Sequence, residues 1–187
     1  MVKFLKKNYG NILILAFLAL LIFPQTGTPI KVFFNRLISF SPSILSEEDR
    51  TRLEDYNWVL RDMEGNLVNL DRSRERVVII NFWGTWCPPC IAEMPSLQEL
   101  YNDYGTQVDF YLVSAEDLSL IDRFMESREF EMPAFQLRSV PPDNLSYKSL
   151  PTTYLLDKQG QIVIRKTGAA NWNSKSTREL LDQLLMD

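Results

Sequence analysis

Histidine is absent from this 187-residue chain, and cysteine occurs only twice. The first absence removes His-based triads, His metal ligation and His acid–base catalysis. The second excludes a scaffold stapled by several disulfides and a four-cysteine zinc site within one chain, so no metal site is expected. An excess of basic charge is also missing. The formal net charge is −4, with both signs mixed along the chain. A nucleic-acid partner would need a basic face to meet phosphates, and none is expected. Internal repeats and low-complexity tracts are not found. What remains fits one domain of ordinary size, long enough to bury a core without disulfides or metals.

Charge is missing from residues 8–30 as well, just after Lys3, Lys6 and Lys7. The apolar run Ile12–Phe23 is shorter than the about 20 residues of a membrane span, but the uncharged stretch is long enough. Residues 1–30 are expected to be a membrane anchor. A cleaved signal peptide is the alternative, since Thr26-Gly27-Thr28 is small enough for cleavage. The lysines favour a cytoplasmic N-terminus. The chain is then single-pass in the cell membrane with its domain on the extracytoplasmic (periplasmic) side, or secreted into the periplasm after cleavage. Residues 31–49 read as a juxtamembrane linker. Within it, Ile30–Phe40 fits either an interfacial helix or a partly ordered connection. Residues 50–187 form the folded domain.

In that domain, two short extended runs flank Asp62-Met63-Glu64-Gly65-Asn66 and predict a hairpin. Arg76–Trp83 is continuously apolar and β-branched, the pattern of a strand buried on both faces, with Phe82 and Trp83 in the core. Pro88–Asp103 reads as a helix, since Ile91, Met94, Leu97, Leu100, Tyr101 and Tyr104 recur at three and four residues. Pro95 should kink it. A strand over 107–114 and a helix over 118–129 follow. The Pro-rich stretch 131–150 is irregular, with a short extended piece around Phe135–Leu137, and either contacts partners or wraps the sheet edge. Thr152–Leu156 and Gln161–Lys166 form a second hairpin. Residues 174–186 close the chain as a helix, capped by Asn173 or Ser174. This order predicts an α/β fold: a mixed central sheet with helices on both faces and an added N-terminal β-hairpin.

Both cysteines fall in Trp86-Cys87-Pro88-Pro89-Cys90, between the buried strand and its helix. A cysteine at a helix N-terminus faces unpaired N–H groups and the positive end of the macrodipole. Both favour thiolate over thiol. Cys90 stands one turn further in, near enough for a disulfide. Pro88 suits the first helical turn, where its missing N–H is no loss, and Pro89 stiffens the loop. The implied reaction is thiol–disulfide exchange: Cys87, the more exposed thiol, attacks a substrate disulfide and Cys90 resolves the mixed disulfide. The Cys87–Cys90 disulfide is the redox group, and no further cofactor is expected. A static disulfide or half of an intermolecular metal site are the blander readings. A peroxidatic site of the T-x-x-C kind is not supported, since neither cysteine has a threonine three positions before it.

The segment Val78–Pro95 resembles the TlpA/ResA-type extracytoplasmic branch of the thioredoxin-like family, and Leu150–Asp157 is similar to a second hallmark of it. The resemblance runs from about residue 50 to the C-terminus. It implies Cys87 as nucleophile, Cys90 as resolving cysteine, Trp86 as the aromatic beside the site and Pro95 as the kink proline. It also implies Pro151 as a cis-proline facing the cysteines, with Leu150 offering its backbone to an extended substrate. From the residues alone, Pro151 reads equally as a plain strand-start proline. Where cytoplasmic thioredoxin has a buried acid, this chain has Asn81, which cannot shuttle a proton. Glu93 matches the acid that this branch uses instead and is expected to relay the Cys90 proton, the alternative being a solvated helix charge. Implied partners are protein thiols and disulfides, apocytochrome c among them, and an upstream membrane or periplasmic electron donor. A thioredoxin-fold adaptor that binds without turnover is the competing function.

Overall fold

The computed structural model describes residues 41–186. The expected anchor or signal segment (1–30) and residues 31–40 of the linker lie outside the described residues. Among the described residues, no helix is long and apolar enough to cross a membrane.

The first hairpin forms as its turn chemistry predicts. Strands β1 (Val59–Arg61) and β2 (Leu67–Asn69) pair antiparallel around Gly65, whose φ of +89° suits a residue without Cβ. The Asp62 side chain accepts hydrogen bonds from the Asn66 backbone and side chain and locks the turn. The apolar run becomes β3 (Val77–Phe82), buried at every position. β4 (Val108–Ser114) lies parallel on one side and β6 (Thr152–Leu156) antiparallel on the other. Between β3 and β4 runs helix α1 (Pro88–Tyr104), with Pro95 inside it, and between β4 and β5 runs α2 (Leu118–Ser127). β5 (Ala134–Leu137), β7 (Ile162–Thr167) and helix α3 (Lys175–Met186) complete the order β2-β1-β5-β4-β3-β6-β7. Ser174 caps α3, its Oγ accepting the Thr177 N–H.

Side chains along a strand alternate between faces. Val77 and Ile79 point into one core, Val78, Ile80 and Phe82 into the other. Here the structure corrects the expectation of helices on both faces. The first core holds Met94 and Leu97 of α1, Ile121 and Met125 of α2, and Leu181 and Leu184 of α3. The second holds no residue of these three helices. It is covered by Leu53, Tyr56 and Trp58 before β1, by Leu70, and by Leu145, with Tyr147 stacked on Phe82 at 4.2 Å. The reason is handedness. The chain steps from β3 to β4 to β5 in one direction, and right-handed crossovers that advance the same way land on the same face.

The 131–150 stretch also departs from its expected place. β5 is internal, parallel to β4 and antiparallel to β1, rather than wrapped on an edge. The chain then crosses this second face, where Leu145 of a short 3-10 turn is buried, to reach β6. The outer edge of β7 is partly covered: Leu45 donates to Val163, Ile162 to Thr51 and Leu53 to Gly160. Part of the stretch read as linker thus lies along the sheet and shields backbone groups that an open edge would expose.

Candidate active site

The buried strand delivers the cysteines to the C-terminal edge of the sheet, the usual place for chemistry in such folds. The Trp83 N–H still pairs with the Val113 carbonyl, at 3.1 Å. The chain then turns, the Cys87 N–H donating to the Gly84 carbonyl at 3.1 Å. Pro88 and Pro89 occupy the first helical positions and Cys87 is the N-cap. Its Sγ accepts the Cys90 N–H at 3.3 Å, so the sulfur takes the place of an oxygen cap. Cys87 and Cys90 are joined in a disulfide, their Cα atoms 5.3 Å apart. The greater exposure expected of Cys87 is slight, 3% against 1% for Cys90. Trp86 stands out beside them, 69% exposed, while Phe82 and Trp83 are buried as expected.

One helical turn beyond Cys90 is Glu93, and it is not a solvated charge, being 1% exposed. Its Oε1 accepts from Asn81 Nδ2 at 2.7 Å, and its Oε2 from the Ala170 N–H and from Trp172 Nε1, each at 3.0 Å. Burial pushes the carboxyl up to about 7, and the three donors and the Lys166 charge only partly offset it. The other hydrogen of Asn81 Nδ2 reaches Thr153 Oγ1 at 2.7 Å. Asn81 of β3 thus orients the Glu93 carboxylate of the helix that follows, and ties it to Thr153 on the neighbouring strand β6. Leu150–Pro151 is a cis peptide. Pro151 is buried and leads directly into β6, beside β3; Leu150 is half-buried and packs against both cores.

Glu116 escaped the sequence reading. Its two carboxylate oxygens accept the Thr85 N–H and the Thr85 hydroxyl, both at 2.7 Å. Register explains the meeting. Phe82 pairs with Val113 in parallel strands, so Thr85 and Glu116 stand the same distance beyond each. A polar residue just past a buried strand was the available signal. Among the described residues, no group of acidic or cysteine side chains is arranged to hold a metal.

A mixed sheet with a parallel β-α-β unit, a cysteine pair at the start of the crossover helix and a cis-proline leading into the strand beside β3 define a thioredoxin-like thiol–disulfide oxidoreductase. The chain belongs to the AhpC/TSA family, whose profile matches residues 54–169. It is 36% identical over 115 residues to thiol-disulfide oxidoreductase ResA of Halalkalibacterium halodurans, covering 60% of this chain and 65% of that protein, just under two thirds of its length. It is 32% identical over 132 residues to ResA of Bacillus cereus, covering 69% and 73%. The structure superimposes on a secreted thiol-disulfide isomerase from Corynebacterium glutamicum with a TM-score of 0.61. That match covers 78% of this chain and 92% of the other at 21% identity, a likeness of fold.

Proposed function

We propose that Cys87 and Cys90 carry out dithiol–disulfide exchange on protein substrates outside the cytoplasm, in the reducing direction. The observation that carries this is the bonded pair at the helix start, with the Cys87 sulfur already receiving the Cys90 N–H. In the reduced protein, the Cys87 thiolate attacks a substrate disulfide, forming a mixed disulfide and releasing one substrate thiolate. Cys90 then attacks the Cys87 sulfur, releases the second substrate sulfur and restores the Cys87–Cys90 bond. Two electrons leave the dithiol for the substrate, so an upstream membrane or periplasmic donor must reduce the pair again.

Glu93 takes the Cys90 proton during resolution, a role suited to a carboxyl held at about 7. Leu150 and Pro151 receive the substrate backbone, and Trp86 flanks it. Exported protein disulfides are the substrate class, apocytochrome c among them. The uncharged N-terminal stretch and the secreted Corynebacterium relative support an extracytoplasmic site. Insulin reduction by the full chain, with Cys87→Ser as control, tests the reaction. The wild type should precipitate insulin chains and the variant should not; equal rates would rule out turnover and favour the adaptor reading.

A further inference from the structure

Outside the cysteine pair, the most constrained part of the site is the turn that presents it. Thr85 is held twice by Glu116, through its N–H and its hydroxyl, at 2.7 Å each. Glu116 is itself tied down. Its N–H donates to Ser114 Oγ at 3.3 Å, that hydroxyl donates to Glu116 Oε2 at 3.2 Å, and its carbonyl accepts from Gln136 Nε2 of β5 at 3.1 Å. A paired carboxylate grip on adjacent donor atoms fixes orientation as well as distance. The next residue is Trp86, exposed yet not free. A Cβ at Gly84 would lie 3.0 Å from its Nε1, 3.2 Å from its Cε2 and 3.4 Å from Glu116 Oε2. The indole therefore lies against the bare Gly84 backbone, with the Glu116 carboxylate beside it.

We propose that Glu116 is a positioning residue for protein-substrate docking: by clamping Thr85 it sets the Gly84–Cys87 turn and holds the Trp86 indole as a wall beside the cysteines. The proposal rests on the exchange reaction put forward above. A rigid aromatic held in place beside the sulfurs offers contact area to a polypeptide at little entropic cost. A small disulfide needs only the sulfur and gains nothing from the wall.

The test compares insulin with glutathione disulfide as substrates of the full chain. Glu116→Ala should raise the KM for insulin about tenfold, with kcat and the glutathione disulfide rate within about twofold of wild type. Glu116→Gln should behave as wild type, because its amide oxygen can accept the Thr85 N–H while its amide nitrogen donates to the Thr85 hydroxyl. Gly84→Ala displaces the indole directly and should repeat the insulin effect with Glu116 intact. Equal losses on both substrates, a Gln variant as impaired as Ala, or an unchanged KM in Glu116→Ala would overturn the proposal. A wild type inactive on both disulfides would sink the exchange reading itself.

Discussion

Three donors converge on Glu93, yet burial still lifts its carboxyl from 4.5 to about 7. Between those values the native state holds a proton that the unfolded chain has released. Stability therefore falls as pH rises through that window, by on the order of 3 kcal/mol. Glu93→Gln cannot ionise. Its urea midpoint should change little between pH 5 and pH 8, while that of the wild type drops. Parallel drops would show that Glu93 does not ionise as inferred. Activity offers a second reading of the same proton: the kcat/KM profile should lose an inflection near neutral pH in the variant. At this scale the cysteine pair was legible because its motif is local, whereas the cis form of Leu150–Pro151 followed from the family resemblance alone. The surroundings of Glu93 were not, since Asn81, Ala170 and Trp172 stand 12, 77 and 79 residues away. A charged residue one turn past a cysteine reads alike whether solvent or a tryptophan faces it.

Among the elements, β3, α1, β4 and the β6–β7 hairpin follow from periodicity and turn residues. β5 does not. Its four residues, close to Pro133 and Pro141, carry too short a pattern to mark a central strand, and only its pairing with β1 and β4 makes it one. Its burial is nonetheless complete enough to matter. Phe135 is 3% exposed and stacks on Tyr111 with ring centroids 4.9 Å apart. Phe135→Ala should cost about 3–5 kcal/mol in chemical denaturation. A loss below about 1 kcal/mol would mean that the strand is not packed as described. The same element supplies Gln136, which anchors the Glu116 backbone, so part of the inserted stretch supports the active-site turn from behind.

For the molecule as a whole, the sheet is the frame, and β3 is an inner strand of it, flanked by partners on both sides and by a core on each face. Native-state hydrogen exchange should find the β3 and β4 amides opening only with global unfolding, while β2 amides exchange by smaller openings. Comparable protection in β2 and β3 would contradict this hierarchy. The single-sided arrangement of helices gives the other face a cover of loops and aromatic side chains. The chain from 138 to 150 crosses that face before placing Leu150 and Pro151 at the site. The stretch that looked irregular in sequence therefore has an architectural task, to bring the proline from one side of the sheet to the other.

By itself, the sequence determined the cysteine pair and its immediate setting: two cysteines spaced one turn apart, after a buried strand and at the start of a proline-led helix. Those properties are local, governed by strand burial, helix ends and the φ limits of proline. Tertiary structure alone decided which face carries the helices, that Glu93 is buried against Trp172, and that Glu116 grips Thr85. Each of these depends on crossover direction or strand register, which bring together residues that no periodicity in the chain connects.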